Sequence, residues 1–330
     1  MKDRIFSGMR PTGKLHLGHL IGALNNWVQL QETHECFYGI VDWHALTTGY
    51  EDVSGLRENV TEIARDWLAS GLDPTRSTFL IQSQVPTHAE LHVLFSMITP
   101  IPWLERVPSY KEQQTQLKEK DLSTYGFLGY PLLQAADILV YKARAVPVGE
   151  DQVAHIELTR EVARRFNNLY GELFPEPQAL LTPTPRLLGT DGRKMSKSYN
   201  NCVYLSDSPD EIRAKSRTMI TDPARIRRSI PGNPEVCNVF DYHRVFTPES
   251  KTQEINVGCR SAALGCVDCK AILAENLIQI TLPIYEKRVA WEGRRREVHE
   301  ILEAGSAHAR QVTGEVMVNV RRAMNISYGD

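Results

Sequence analysis

GMRPTGKLHLGHLIGA, residues 8–23, lies between a short apolar stretch and a helical pattern. The stretch before it, Arg4-Ile5-Phe6-Ser7, reads as a strand ending in Gly8, and a helix starts near Gly18-His19. A Gly- and Pro-rich turn joins them. Strand, turn and helix in this order form the opening unit of an α/β fold. The start of a helix offers unpaired N–H groups and partial positive charge, which suit phosphate. Gly18 lets a nucleotide ring approach the backbone, and Gly22 keeps that face of the helix flat. His16 and His19 fall at the loop–helix junction, where they can donate to phosphate oxygens. His-Leu-Gly-His taken alone is equally a surface pair or half a metal site.

Outward from this turn the first half alternates strand and helix. Residues 36–41 (CFYGIV) are nearly all apolar, as a buried parallel strand requires. Residues 77–81 and 145–148 repeat the pattern, and helical periodicity fills 19–31, 53–69, 89–98, 132–141 and 151–166. The expected class is α/β, a Rossmann-like doubly wound parallel sheet, whose ligands sit beyond the carboxyl ends of strands. After about residue 190 the strand pattern stops. Segments 208–219, 235–247, 268–290 and 306–325 read as helices. This predicts a catalytic domain over 1–190 and a C-terminal helical domain over 191–330.

The two expected domains meet at a second unusual stretch, GRKMSKSYN, residues 192–200. It sets Arg193, Lys194 and Lys197 around Met195, with Ser196 and Ser198, and has no apolar repeat to join a core. By itself it is a solvated basic turn. The formal net charge of the 330-residue chain is −2, so any nucleic-acid contact must use local patches rather than bulk charge. Three basic runs qualify: residues 225–228, 294–296 and 321–322. No apolar run approaches the length of a membrane span, and no signal peptide is visible. The expectation is a cytoplasmic protein that makes no use of membrane.

HLGH at 16–19 paired with KMSKS at 194–198 resembles the signature pair of class I aminoacyl-tRNA synthetases. The second motif matches completely, and the first has Leu17 where Ile is usual. The resemblance implies that the two loops hold ATP, with His16 and His19 at the α-phosphate and Lys194 and Lys197 at the pyrophosphate. Arg10, Pro11, Thr12, Gly18, Met195, Ser196 and Ser198 complete the implied ATP contacts. Three further stretches are similar to tryptophanyl-tRNA synthetases: GIVDWHALT (39–47), YPLLQAADILVY (130–141) and PVGEDQVAHIELTR (147–160). That likeness implies that Asp137 accepts the indole N–H of tryptophan, and that Phe6, His44, Tyr130, Gln134, Val146, Val148 and Gln152 line the pocket. Gly149, Glu150 and Asp151 would meet the ATP ribose, and Leu187 the adenine. Read alone, Asp137 is a helix residue paired with Arg144 or Lys142. Arg10 stands where many members have Gln, and Gln134 where many have Met. The tyrosine branch has the same architecture and is the nearest alternative. The implied reaction joins L-tryptophan to ATP, releasing pyrophosphate, and passes the aminoacyl group to tRNA(Trp). Mg²⁺ is expected on the phosphates, and a homodimer is the family's usual assembly. An intact synthetase-like protein that binds RNA or senses redox state without aminoacylating is the reading from a different class.

Four of the six cysteines follow Cys237-x21-Cys259-x6-Cys266-x2-Cys269. In a reducing compartment this spacing suggests metal rather than disulfides. Four thiolates suit tetrahedral zinc or an iron–sulfur cluster, and spacing alone does not choose. A subset of tryptophanyl-tRNA synthetases is similar here, which implies a [4Fe–4S] cluster in the helical domain. Cys36 and Cys202 read as ordinary thiols.

Overall fold

A computed structural model describes residues 2–108, 110–111, 122–181, 187–195 and 197–328. Ser196 of the basic loop, and the side chain of Ser198, lie outside the described residues. Two compact units emerge: Met1–Gly13, Ala23–Pro183 and Arg294–Asp330 form one, and Lys14–Gly22 with Thr184–Gly293 the other. The chain therefore does not divide once near residue 190. The last helix belongs with the sheet, and the histidine turn belongs with the helical segment that carries the basic loop.

The first unit is built on a parallel five-stranded sheet of β1 (Arg4–Met9), β2 (Glu35–Ile40), β3 (Ser77–Ile81), β4 (Ala145–Val148) and β5 (Gln178–Leu181), in the order β3-β2-β1-β4-β5. This is the doubly wound class that the sequence predicts. The order reverses between β1 and β4, so the loops after these two strands flank the crevice where such sheets bind ligands. β5 goes unforeseen, because its four residues are half-buried or exposed and too short to give a period.

A helical run follows the first turn as α1 (Leu17–His19), a π-turn (Leu20–Leu24) and α2 (Asn25–Thr33). The π-turn interrupts what periodicity reads as one helix. Next come α3 (Asp42–Gly49), α4 (Leu56–Ala69), α5 (Thr87–Ser96), α6 (Ile101–Glu105), α7 (Tyr125–Leu139) and α8 (Val153–Tyr170). Helix α3 is too short and too polar to show a period. Helix α7 starts seven residues before the expected 132, with Thr124 as N-cap accepting from the Phe127 N–H.

In the helical unit lie α9 (Pro209–Thr218), α10 (Asn238–Phe246), α11 (Glu249–Arg260) and α12 (Cys266–Glu292). The final helix, α13 (Arg295–Ala323), returns to the sheet and packs on β3. A Cβ on Gly305 would stand 1.9 Å from the Phe79 carbonyl oxygen, so only glycine permits this approach. The neighbouring Ser306 hydroxyl accepts the Ile81 N–H at 3.1 Å. The open edge of β3 is thereby covered by a helix rather than left to pair with another chain.

Candidate functional site

In the sheet unit the functional residues meet around Asp137. Tyr130, Gln134 and Asp137 are spaced four and three apart, so they share one face of α7. Asp137 is 1% exposed. Its carboxylate accepts from His44 Nε2 at 2.8 Å, His88 Nδ1 at 2.7 Å and Gln82 Nε2 at 2.8 and 3.0 Å. Burial opposes its charge, but the hydrogen bonds from His44 and His88 prevail and hold the carboxyl at about 2. Neither Arg144 nor Lys142 is its partner: Arg144 approaches Asp3 at 3.4 Å.

The donors are themselves held. Gln82 Oε1 accepts the Trp43 N–H at 3.1 Å. His88 donates from Nδ1 to Asp137, so its Nε2 accepts from the Tyr141 hydroxyl at 2.8 Å. Burial and the charge of Asp137 push the Tyr141 phenol well up, which keeps it a donor. Phe6 stacks on Tyr141 with centroids 5.2 Å apart. Gln82, His88 and Tyr141 escape sequence reasoning. They come from separate elements, and nothing in their local spacing announces a shared carboxylate.

The rest of the implied pocket lies on the same unit. Val146 is buried and Val148 half-buried on β4. Gln134 Oε1 accepts from His155 Nδ1 at 2.5 Å, and the His155 ring lies 5.5 Å from that of Tyr130. His155 is a fourth residue that the sequence did not single out, and burial lowers it to about 4. Gln152 donates to Asp151 at 3.0 Å in the turn after β4, where Glu150 and Asp151 are exposed. In the loop after β1, Pro11 is buried, and Arg10 and Thr12 are exposed. Arg10 to Thr12 and Gly149 to Asp151 thus follow the two strands that flank the switch point.

The helical unit brings the two signatures together. Leu17 N–H donates to the Val203 carbonyl at 3.0 Å, and Leu205 N–H to that of Leu15 at 2.9 Å. This short pairing fastens the histidine turn beside the chain that leaves the basic loop. A Cβ on Gly18 would lie 3.8 Å from Met195 Sδ. His16 Nδ1 accepts the Gly18 N–H and His19 Nδ1 accepts the His16 N–H, each at 3.2 Å. Both Nδ1 atoms are therefore unprotonated, and each neutral ring carries its proton on Nε2 as the donor. Burial, then the charge of Lys197, lowers His16 to about 4. Burial, His16 and Lys197 push His19 well down. Lys194 is exposed, and Lys197 and Leu187 are half-buried.

The four cysteines of the motif also lie in this unit. Cys237 is buried, and burial raises it although the backbone N–H groups of Phe240, Asp222 and Val239 point at its sulfur. Arg225 Nη1 donates to Cys259 Sγ at 3.7 Å. Burial, then the neighbouring thiols of Cys237, Cys259 and Cys266, pushes Cys269 up to about 12. No group of three or more His, Cys, Asp or Glu among the described residues is arranged to hold a metal ion. Four thiols in one unit, with N–H groups directed at Cys237 and Cys259, are the donor types that a thiolate-bound centre would use.

The basic runs are mostly engaged within the chain. Arg225 is buried and donates to the Arg228 and Leu264 carbonyls. Arg294 and Arg296 pair with Glu297 and Glu300, Arg295 with Glu58, and Arg321 with Glu90.

The family model for class I tRNA synthetases of the W and Y type matches residues 2–281. The tryptophan--tRNA ligase of Thermotoga maritima is 55% identical, with 98% of this chain and 100% of that protein covered. That of Aquifex aeolicus is 46% identical over the same shares. Among solved structures, the tryptophanyl-tRNA synthetase of Campylobacter jejuni, complexed with ADP and tryptophan, superposes with a TM-score of 0.85 at 33% identity, covering 98% of this chain and 99% of its own. The signatures, the sheet order and these likenesses agree: the chain belongs to the class I tRNA synthetases, in the family of the tryptophan--tRNA ligases.

Proposed function

We propose that this chain is a tryptophan--tRNA ligase that activates L-tryptophan with ATP and passes it to tRNA(Trp). The observation that carries the mechanism is the meeting of His16 and His19 with the Met195–Lys197 loop inside one compact unit. Neutral Nε2–H donors suit the α-phosphate, where they add hydrogen bonds without adding charge. Lys194 and Lys197 neutralise the charge that develops on pyrophosphate, with Ser196 and Ser198 as further donors. Transfer of this kind needs positioning and charge stabilisation more than covalent help. Mg²⁺ travels on the phosphates.

The sheet unit selects the amino acid. Asp137 accepts the indole N–H, with Phe6, His44, Tyr130, Gln134, Val146, Val148 and Gln152 around it. Its oxygens already hold four contacts from the chain, so the indole N–H takes the place of one donor rather than filling an empty position. Phenylalanine has no such donor to offer and is rejected by the lost bond. Arg10, Pro11, Thr12, Gly18, Gly149, Glu150, Asp151 and Leu187 serve ATP. The helical unit reads the anticodon end of the tRNA.

Cys237, Cys259, Cys266 and Cys269 hold a [4Fe–4S] cluster, with zinc as the alternative. Such a centre supplies cross-linking of the loops between helices, and no step of the reaction passes through it. Anaerobically purified protein that is coloured and contains iron supports the cluster, and stoichiometric zinc in colourless protein overturns it. The partner is a second copy of the chain. Val93, Ile101 and Tyr125 on the packed helices α5, α6 and α7, with Met97 just after α5, are 50–71% exposed and supply an apolar face for it. No helix among the described residues is long and apolar enough to cross a membrane, and the site of action is the cytoplasm, where tRNA is charged. Tryptophan-dependent exchange of pyrophosphate into ATP tests the whole reading, and its absence from folded protein sinks it.

A further inference from the structure

Helix α10 begins directly after Cys237, whose carbonyl accepts the Phe240 N–H at 2.9 Å. Two of its side chains reach the stem of the basic loop. Asn238 Nδ2 donates to the Gly189 carbonyl at 2.8 Å, and Tyr242 Oη donates to the Leu188 carbonyl at 2.6 Å. Both residues are buried, Asn238 at 5% and Tyr242 at 0% exposed. They stand four apart, so both project from one face of the helix.

The stem they grip leads straight to a signature lysine. Leu188 and Lys194 pair across an antiparallel bridge, and the Gly189 N–H donates to the Arg193 carbonyl at 2.7 Å. Asn201 closes the far side, donating from Nδ2 to Asp191 at 2.7 Å and to the Lys194 carbonyl at 3.1 Å. Hydrogen bonds from Asn201 and Arg193 hold Asp191 at about 2, so it remains an acceptor. The backbone of Lys194 thus lies one bridge from a carbonyl fixed by Tyr242. Lys194 itself is exposed while the stem beneath it is tied to a buried helix face.

We propose that Asn238 and Tyr242 are positioning residues for adenylate formation, setting the register from which Lys194 and Lys197 reach the phosphates. This rests on the reading of the 194–198 loop as an ATP clamp. Neither side chain touches substrate, and both act through the carbonyls of Leu188 and Gly189. Tyr242→Phe removes one hydroxyl and keeps the ring that packs α10. The expected result is a fall of about fivefold to tenfold in the rate of pyrophosphate exchange, the size of one lost hydrogen bond. Tryptophan affinity measured without ATP should stay within about twofold, a range set by ordinary scatter between variants. Amide hydrogen exchange in a peptide spanning 187–195 should quicken. Asn238→Ala, which removes the neighbouring donor, should give the same pattern. Unchanged exchange kinetics with only a lower melting temperature would overturn the proposal and leave both residues as packing. Lys197→Ala, run in parallel, separates the two claims. If it keeps full activity, the clamp reading falls and the proposal with it. If it loses activity while Tyr242→Phe does not, the proposal alone falls.

Discussion

The sheet unit and the helical unit treat charge in opposite ways. Asp137 is sealed from water, and each of its oxygens is already engaged by donors from α3, α5 and the turn after β3. Lys194 stands exposed on a loop whose order comes from its stem, and Lys197 lies half-buried opposite two neutral histidines. A group that selects a substrate must be ionised, dry and immobile before the substrate arrives. A group that meets charge only as it develops loses nothing by waiting at the surface, provided its base is fixed.

The sharpest way to break this contrast is Lys197→Ala. We expect adenylate formation to fall by roughly 10²–10³, as for loss of one donor to developing charge, with tryptophan binding nearly unchanged. Equal losses in exchange rate and tryptophan affinity would place the lysine in ground-state binding instead. Asp137→Asn should do the reverse, damaging selection before rate. The amide cannot accept from all three donors, so kcat/KM for tryptophan should fall about 10²-fold and stability by roughly 3 kcal/mol, the range for breaking a buried charge network. Preserved tryptophan affinity in that variant would remove Asp137 from recognition.

Acid should strain both units. His16 and His155 each titrate at about 4, below the ordinary 6.5. Between these values the unfolded chain takes up protons that the folded chain refuses. The stability they contribute is therefore complete above 6.5 and drains as pH falls toward 4. Each should cost roughly 1–2 kcal/mol by pH 5, read as a fall in denaturation midpoint. A flat midpoint between pH 7 and 5 would mean that neither ring is held neutral. Gln134→Met removes the Gln134 oxygen that accepts from His155 Nδ1, and we expect a stability loss of about 1–3 kcal/mol, with no loss of the exchange rate at saturating substrates. The smallest effect belongs to Arg321→Ala. Its pair with Glu90 is surface-exposed, and its loss should move stability by less than about 1 kcal/mol. A tenfold loss of tRNA affinity in this variant would return that arginine to the RNA-binding surface.

The legible parts of the site were those written in adjacent residues. HLGH and KMSKS are runs of four and five, and His16, Gly18 and His19 lie near Met195 or Lys197 within one unit. Asp137 was legible as an anomaly, a carboxylate in the apolar string Ala135-Ala136-Asp137-Ile138-Leu139. Its partners were not, because Gln82 and His88 reach it across 55 and 49 residues of chain. The grip of Tyr242 on Leu188 spans 54 residues and uses a backbone carbonyl, which leaves no side-chain signature at all.

By itself the sequence determined the parallel α/β class, the Gly-rich turn with its two histidines, the basic loop and the family. These rest on apolar periodicity and on contiguous motifs, which local physics reads directly. Only the tertiary structure decided that α13 returns to cover β3, that the histidine turn packs with the helical unit, and which donors hold Asp137 ionised. Each of those depends on groups distant in sequence being brought within hydrogen-bonding reach, and chain closure over such distances is set by the packing of the whole fold rather than by any local preference.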